Sequence, residues 1–345
     1  MIIMYMSTLH ILSNPHAAVN INRRDDPFSV LAVKFMKYMT QYGWNCVHYG
    51  VPGTEVDCEL VPCLDKHTDN SGVDAKIYND RAGAAIAACK QAGDMILCYH
   101  GWENKGACEL NPDLRAVEHS IGYETKAVFA PFRAFTSQAQ MHMFYGERGM
   151  LMSPSWFDTV IYNAISEDEF DYSEDKDDYF LYFGRVIPAK GIDIAIQATQ
   201  SAGKKLIIAG RGDLRDLGYS TIPKHVTLAG LCDADQRRKL MSRAKAILGP
   251  TYYVEPFGNM VVEGYMSGTP AITTDWGGFT ETVIQGVTGF RCREHRQFIE
   301  ALERIDEINP RSCHVWATAN CEDKVVHPQL DAWLRKVQQY DYYRK

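Results

Sequence analysis

The stretch YFLYFGRVIPAKGIDIAIQATQSAGKKLIIAG, residues 179–210, decides the fold. YFLYFG (179–184) is a short run of large apolar residues closed by glycine, which reads as a buried strand. A loop follows, then a helix at 190–202, then a second apolar run, KLIIAG (205–210). The same alternation continues through HVTLAG (225–230), a helix at 233–244, AILGP (246–250), a helix at 259–267 and PAITT (270–274). Strands alternating with helices of this length predict a parallel sheet covered on both faces.

The N-terminal half carries a weaker version of this pattern. It reads as a strand at 1–6, a loop through Pro15 and Asn22, a helix at 27–42, and strands WNCVHYG (44–50) and MILCYH (95–100) around a small-residue helix at 81–92. Asp26 suits the N-cap of the first helix, Pro27 its first position and Gly43 its C-terminal cap, while Leu31, Phe35 and Met39 mark its apolar face. A strand–helix pair covers 115–145, FDTVIYN (157–163) closes the half with a strand, and 327–345 reads as a terminal helix. The predicted class is α/β with two Rossmann-like doubly wound parallel sheets. The expected divisions are a first Rossmann-like domain at 1–163, an acidic connection at 164–178, a second Rossmann-like domain at 179–326, and a helix at 327–345 packing back toward the first domain.

Length and composition fit this reading. The 345 residues are 46% hydrophobic and 23% charged, which excludes disorder, collagen and a disulfide miniprotein. No apolar run approaches the length of a membrane span, and MIIMYMSTLHIL lacks a basic start and a cleavage site, so a cytoplasmic protein is expected. The net charge is −7, concentrated in SEDEFDYSEDKDD (166–178), which reads as an exposed connection. Neither half is basic enough to favour nucleic acid. The ten cysteines form no C-x-x-C pair and read as free thiols, several of them inside apolar stretches such as those around Cys89 and Cys98. No metal motif is present.

EPFGNMVVEGYMSGTPAITTDWGGFTETV (255–283) carries the chemistry. It reads as a loop, a tight turn at Gly258, a helix from Asn259, a strand, and a Gly277–Gly278 turn. The first-turn amides and dipole of that helix form an anion site suited to phosphate, and Gly258 removes the Cβ that would stand in a ligand's way. Glu255 and Glu263 then face two ends of a ligand rich in hydroxyls.

Here the sequence resembles a family: the retaining glycosyltransferases of family four, with the two-domain GT-B fold around a central cleft. Glu255 and Glu263 match its Glu-x7-Glu signature. FLYFGRVIPAKGIDIAIQA (180–198) and GGFTETVIQGVTGF (277–290) match further elements. FDTVIYNAISEDEF (157–170) resembles the interdomain segment, with Ala164 in place of Gly and Ser166 in place of Asp. FSVLAVKFMKYMTQYGWNCVHYG (28–50) resembles single-chain bacterial and phage or viral members.

The resemblance implies transfer of a sugar from a nucleotide-diphosphate sugar, a UDP-sugar above all, with retention of configuration. It implies no permanent cofactor and no essential metal. Arg185 and Lys190 would bind the diphosphate, and Glu263 the ribose hydroxyls. Glu255, with the amides of Phe257, Gly258, Asn259 and Met260, would hold sugar and phosphate. Gly210, Leu231 and Cys232 would line the nucleotide. In the first half His119 and Glu118 are the catalytic or sugar-orienting candidates, and His16, near Asn14 and Asn20, the acceptor-side one. Arg133 and Arg148 read as surface or ion-pair residues.

For the acceptor the resemblance implies a glycan or lipid-linked saccharide; a phage-type alternative is a hydroxymethylated DNA base. Trp333, Tyr340, Tyr342 and Tyr343 allow peripheral membrane contact at most, and the oligomeric state is open. Two readings from other classes compete. One is an inactive nucleotide or sugar binder, which detection of transfer would exclude. The other is an NAD-dependent oxidoreductase: Gly210-Arg211-Gly212 follows a strand, but Arg215 stands where a third glycine is needed.

Overall fold

A computed structural model describes residues 6–20, 27–122 and 124–339. The chain divides into two compact units: 1–136, 141–161 and 327–345 form one, and 137–140 with 162–326 form the other.

The first unit holds seven parallel strands: β1 (Thr8–Leu12), β2 (Asn45–Gly50), β3 (Glu59–Pro62), β4 (Met95–Cys98), β5 (Arg115–His119), β6 (Phe132–Phe135) and β7 (Thr159–Val160), in the order β3-β2-β1-β4-β5-β6-β7. Its helices are α1 (Pro27–Gln41), α2 (Ser71–Cys89), α3 (Lys105–Glu109), most of α4 (Gln138–Glu147) and the end of the terminal helix. The second unit has β8 (Phe180–Phe183), β9 (Leu206–Ala209), β10 (Val226–Gly230), β11 (Ile247–Gly249), β12 (Ala271–Thr274) and β13 (Gly289–Cys292), again parallel, in the order β10-β9-β8-β11-β12-β13. Helices α5 (Ile192–Ser201), α6 (Ala234–Arg243), α7 (Asn259–Met266), α8 (Phe279–Thr282), α9 (His295–Arg304) and α10 (Pro310–Asn320) cover it, and α11 (Asp323–Gln338) follows. Strand order reverses between β8 and β11. A reversal of strand order is the usual ligand position of such sheets.

Several expectations change. The strand placed at 1–6 is β1, Thr8–Leu12; residues 1–5 lie outside the described ones, as does the Asp26 cap. His10 disguises β1 as polar, yet it is buried, with Nδ1 2.9 Å from the Tyr49 hydroxyl and Nε2 3.5 Å from Asp94. The α1 face is Ala32, Phe35, Met36 and Met39, with Leu31 only half-buried. Helix α2 begins at Ser71 rather than 81. The Asn70 side chain accepts the Gly72 and Val73 amides, and Asp74 accepts from Thr68, so local caps start a helix that has no clear apolar period. Strand 157–163 shrinks to Thr159–Val160.

The acidic run is not an exposed connection throughout. Ala164, Ile165, Ser166 and Phe170 are buried, and the Ile165 amide donates to the Cys321 carbonyl at 2.8 Å. Lys176 turns inward and donates to the carbonyls of Ser242 and Ser267 and to the Thr269 hydroxyl. Losing water lowers its pKa to about 8. Asp171 and Asp177 pair with Arg238 and Arg243. Cys89, grouped above with apolar stretches, is exposed.

Helix α11 starts four residues before position 327, and Trp333 within it is buried, its indole N–H donating to the Phe157 carbonyl at 2.9 Å. Trp333 is therefore not available for interfacial membrane contact, and Tyr340, Tyr342 and Tyr343 lie outside the described residues. No helix among the described residues is long and apolar enough to cross a membrane.

Candidate functional site

The loops after β8 and β11 build the site in the second unit. After β8 comes Arg185, exposed at its side chain, with its carbonyl accepting the Tyr182 hydroxyl at 2.7 Å. A single 3-10 turn, Pro188–Lys190, then carries Lys190. Gly191 follows at φ +65°, where an added Cβ would lie 1.7 Å from the Pro250 carbonyl oxygen. Only glycine permits this contact between the two loops. The Tyr252 amide donates to the Ala189 carbonyl at 2.9 Å and ties them further.

Lys190 and Glu255, 65 residues apart in sequence, meet here. The Lys190 Nζ lies 3.1 Å from Glu255 Oε2, with side-chain exposures of 15% and 7%. The Tyr253 hydroxyl donates to the same carboxylate oxygen at 2.6 Å, and its ring lies 5.0 Å from Nζ. A buried carboxylate is thus met by a cation and a neutral donor. The Lys190 ammonium carries three N–H donors and a full positive charge at this position.

Gly258 caps α7 at φ +89°. An added Cβ would lie 2.4 Å from Cε1 of the Phe279 ring. The absent side chain therefore makes room for Phe279, not for a ligand as the sequence reading had it. The Phe257 ring is also buried, 5.3 Å from the Tyr162 ring, so only its backbone can serve. Asn259 Oδ1 accepts from Asn163 at 2.8 Å, and Met260 is half-buried. In the first turn of α7 the Val261 amide donates to the Gly258 carbonyl at 2.9 Å, and the amides before it lack an acceptor one helical turn back.

Glu263, one turn further, forms an ion pair with Arg237 of α6, a residue the sequence reading missed. No local signal marks it, because the contact joins two helices. Gly210 is occupied by the fold: an added Cβ would lie 2.0 Å from the Gly184 carbonyl, and its amide donates to the Gly230 carbonyl at 2.8 Å. That close packing also accounts for the glycines of the Gly-Arg-Gly turn without a dinucleotide. Leu231 is exposed and Cys232 half-buried; burial raises the thiol pKa of Cys232.

The first-unit candidates are placed differently. Glu118 Oε1 accepts the amides of Phe129 and Ala130 at 3.0 and 2.9 Å, and the side chain is buried. It braces the backbone leading into β6. Burial raises its pKa to about 7 despite those donors. A raised carboxyl pKa favours the folded state below the unfolded value near 4.5, and that contribution is lost as pH rises through 7. Glu118→Gln keeps an acceptor without a charge. Its melting temperature relative to wild type is expected to rise between pH 5 and pH 8, by an increment worth about 3 kcal/mol at most. A difference that stays constant over this range would contradict the assignment.

His119 is buried against Phe35 and Tyr99, with Nδ1 2.9 Å from the Ser120 hydroxyl, and Ser120 sits at φ +52°. Desolvation lowers its pKa to about 3, so it is neutral and not a general acid at neutral pH. His16 Nε2 lies 3.5 Å from Glu103 and the ring is partly exposed. Arg133 pairs with the buried Asp158, and Arg148 donates to the carbonyls of Lys126 and Val128.

Two parallel-sheet Rossmann-like domains in one chain define the GT-B class, and this is the fold of the protein. Sucrose-phosphate synthase from Thermosynechococcus elongatus superposes with a TM-score of 0.75 at 15% identity, over 96% of this chain and 99% of that one. HepE from Anabaena, solved with UDP and glucose, gives 0.70 at 14% identity, over 96% and 100%.

Residues 165–320, which hold the whole Lys190–Glu255–Glu263 site, match the family model described as glycosyl transferases group 1. Among curated proteins, an uncharacterized glycosyltransferase of Methanocaldococcus jannaschii is 32% identical over 154 residues, 38% of this chain and 39% of that protein. A glycogen synthase of Mycobacterium tuberculosis is 37% identical over 122 residues, 32% of this chain and 29% of that protein. The chain thus spans less than half the length of these curated relatives.

Proposed function

We propose that the protein is a retaining, metal-independent glycosyltransferase that uses a nucleotide-diphosphate sugar, with UDP as the favoured nucleotide. The observation that carries this reading is the buried Lys190–Glu255–Tyr253 cluster beside the first turn of α7, at the strand-order reversal of the second sheet. Arg185 and Lys190 meet the diphosphate, and the α7 amides near Gly258 and Asn259 add a fixed positive field. Glu255 accepts hydroxyls of the transferred sugar and Glu263 those of the ribose.

The bond between the anomeric carbon and the phosphate oxygen breaks, and charge builds on that oxygen, where the cations lie. The acceptor hydroxyl attacks from the same face, forms the new bond at the anomeric carbon, and passes its proton to the departing phosphate oxygen. No strong protein base is required, in keeping with the neutral, buried His119. The acceptor is a saccharide hydroxyl, free or lipid-linked. The related glycogen synthases and the O-antigen chain mannosyltransferase of Salmonella typhimurium support a glycan.

A thermal-shift panel of UDP-, GDP- and ADP-sugars tests the donor assignment. One nucleotide class is expected to raise the melting temperature, because a ligand that binds the native state stabilises it by mass action. A panel in which nicotinamide dinucleotides stabilise the chain and no nucleotide sugar does would overturn it.

A further inference from the structure

Helix α6 starts at a reciprocal cap, in which the Asp233 carboxylate accepts the Gln236 amide and the Gln236 side chain accepts the Asp233 amide. This fixes the first turn, and Arg237 is the next residue. Its guanidinium lies over the Phe170 ring at 4.9 Å and 5.9 Å from the Phe183 ring, and Nη2 is ion-paired with Glu263 Oε1. Both partners are largely covered, at 14% and 15% side-chain exposure. Arg237 Nε is buried with no hydrogen-bond partner among the described residues. The flat cation is therefore held between two aromatic rings and one carboxylate oxygen, which restrains its position.

We propose that Arg237 is the positioning residue for Glu263: it grips one carboxylate oxygen so that the other is presented to the vicinal hydroxyls of the nucleotide's ribose. It thereby makes the site selective for ribonucleotides over 2′-deoxyribonucleotides. This rests on the reading of Glu263 as the ribose ligand. A carboxylate pinned at one oxygen keeps two lone pairs on the other, enough for a hydroxyl pair. Without Arg237, Glu263 would be partly covered, uncompensated and free to rotate, and its preference for a 2′-hydroxyl would fall. A bridge serving only to join α6 to α7 would change stability and leave that preference intact.

The test is isothermal titration of the full chain with UDP, GDP and ADP and their 2′-deoxy forms. The proteins are wild type, Glu263→Ala, Arg237→Met and Arg237→Gln, the last two giving independent chances of a folded variant. For the best-bound diphosphate, wild type is expected to favour the ribo form by roughly ten- to hundred-fold, the range for a hydrogen bond to a charged group. Glu263→Ala should abolish the preference, and either folded Arg237 variant should cut it by at least about threefold. Arg237 variants that bind both forms with the wild-type ratio would overturn the proposal while leaving the Glu263 reading in place, provided Glu263→Ala loses the preference. A Glu263→Ala protein that still prefers the ribo form would overturn both.

Discussion

Lys190→Ala is expected to lower kcat/KM for the nucleotide sugar by roughly 10²–10³-fold, the range seen when one preorganised group that stabilises transition-state charge is removed. The reasoning is electrostatic. In the proposed mechanism charge appears on the leaving phosphate as its bond to the sugar breaks, and Lys190, in contact with Glu255 and the Tyr253 ring, would supply the cation that meets it. The substitution also leaves Glu255, at 7% side-chain exposure, with Tyr253 as its remaining side-chain donor among the described residues. Some loss of stability follows, so the rate must be read on folded protein well below its melting temperature. Lys190→Arg, which keeps the charge but not the point geometry, should recover part of the rate. A folded Lys190→Ala enzyme within threefold of wild type would remove Lys190 from the mechanism.

Gly191→Ala should have the largest structural effect of any single methyl group in the site. The left-handed backbone costs about 1–2 kcal/mol for a residue with a Cβ. The new methyl would also meet the Pro250 carbonyl oxygen at 1.7 Å, so the loops after β8 and β11 must separate, at a further cost of about 1–3 kcal/mol. Gly43→Ala is the internal control: its φ is +85°, yet nothing lies within 4 Å of the added methyl. Thermal unfolding should show a clearly larger loss for Gly191→Ala, together with loss of donor binding because Lys190 is the neighbouring residue. Equal losses at the two positions would show that the loop contact is not what constrains Gly191.

The second sheet was legible because parallel strands buried on both faces leave continuous apolar runs, as in FLYF and LIIA, separated by segments of helical length. Lys190 and Glu255 were legible as candidates through the residues around them, although their contact is not a property of either segment. Other features left no such trace. The first ten residues of α2 lack an apolar period and depend on Asn70 and Asp74. β1 is hidden by a buried histidine, and β3 is a short edge strand with exposed residues. Gly258 is readable as a turn, but the ring that occupies its missing Cβ comes from Phe279, 21 residues on. Glu118 is legible as a candidate beside His119, but the two backbone amides it accepts come from residues 11 and 12 positions on. Arg237 is an ordinary surface-helix arginine in sequence, and only the packing of α6 beside α7 joins it to Glu263.

A structure of the chain with an intact nucleotide sugar bound is the most direct measurement. The account predicts the diphosphate within hydrogen-bond distance of the first-turn amides of α7 and of Lys190, with the ribose on Glu263. A nucleotide found at any other place in the second unit, with the start of α7 still in contact only with protein, would contradict it.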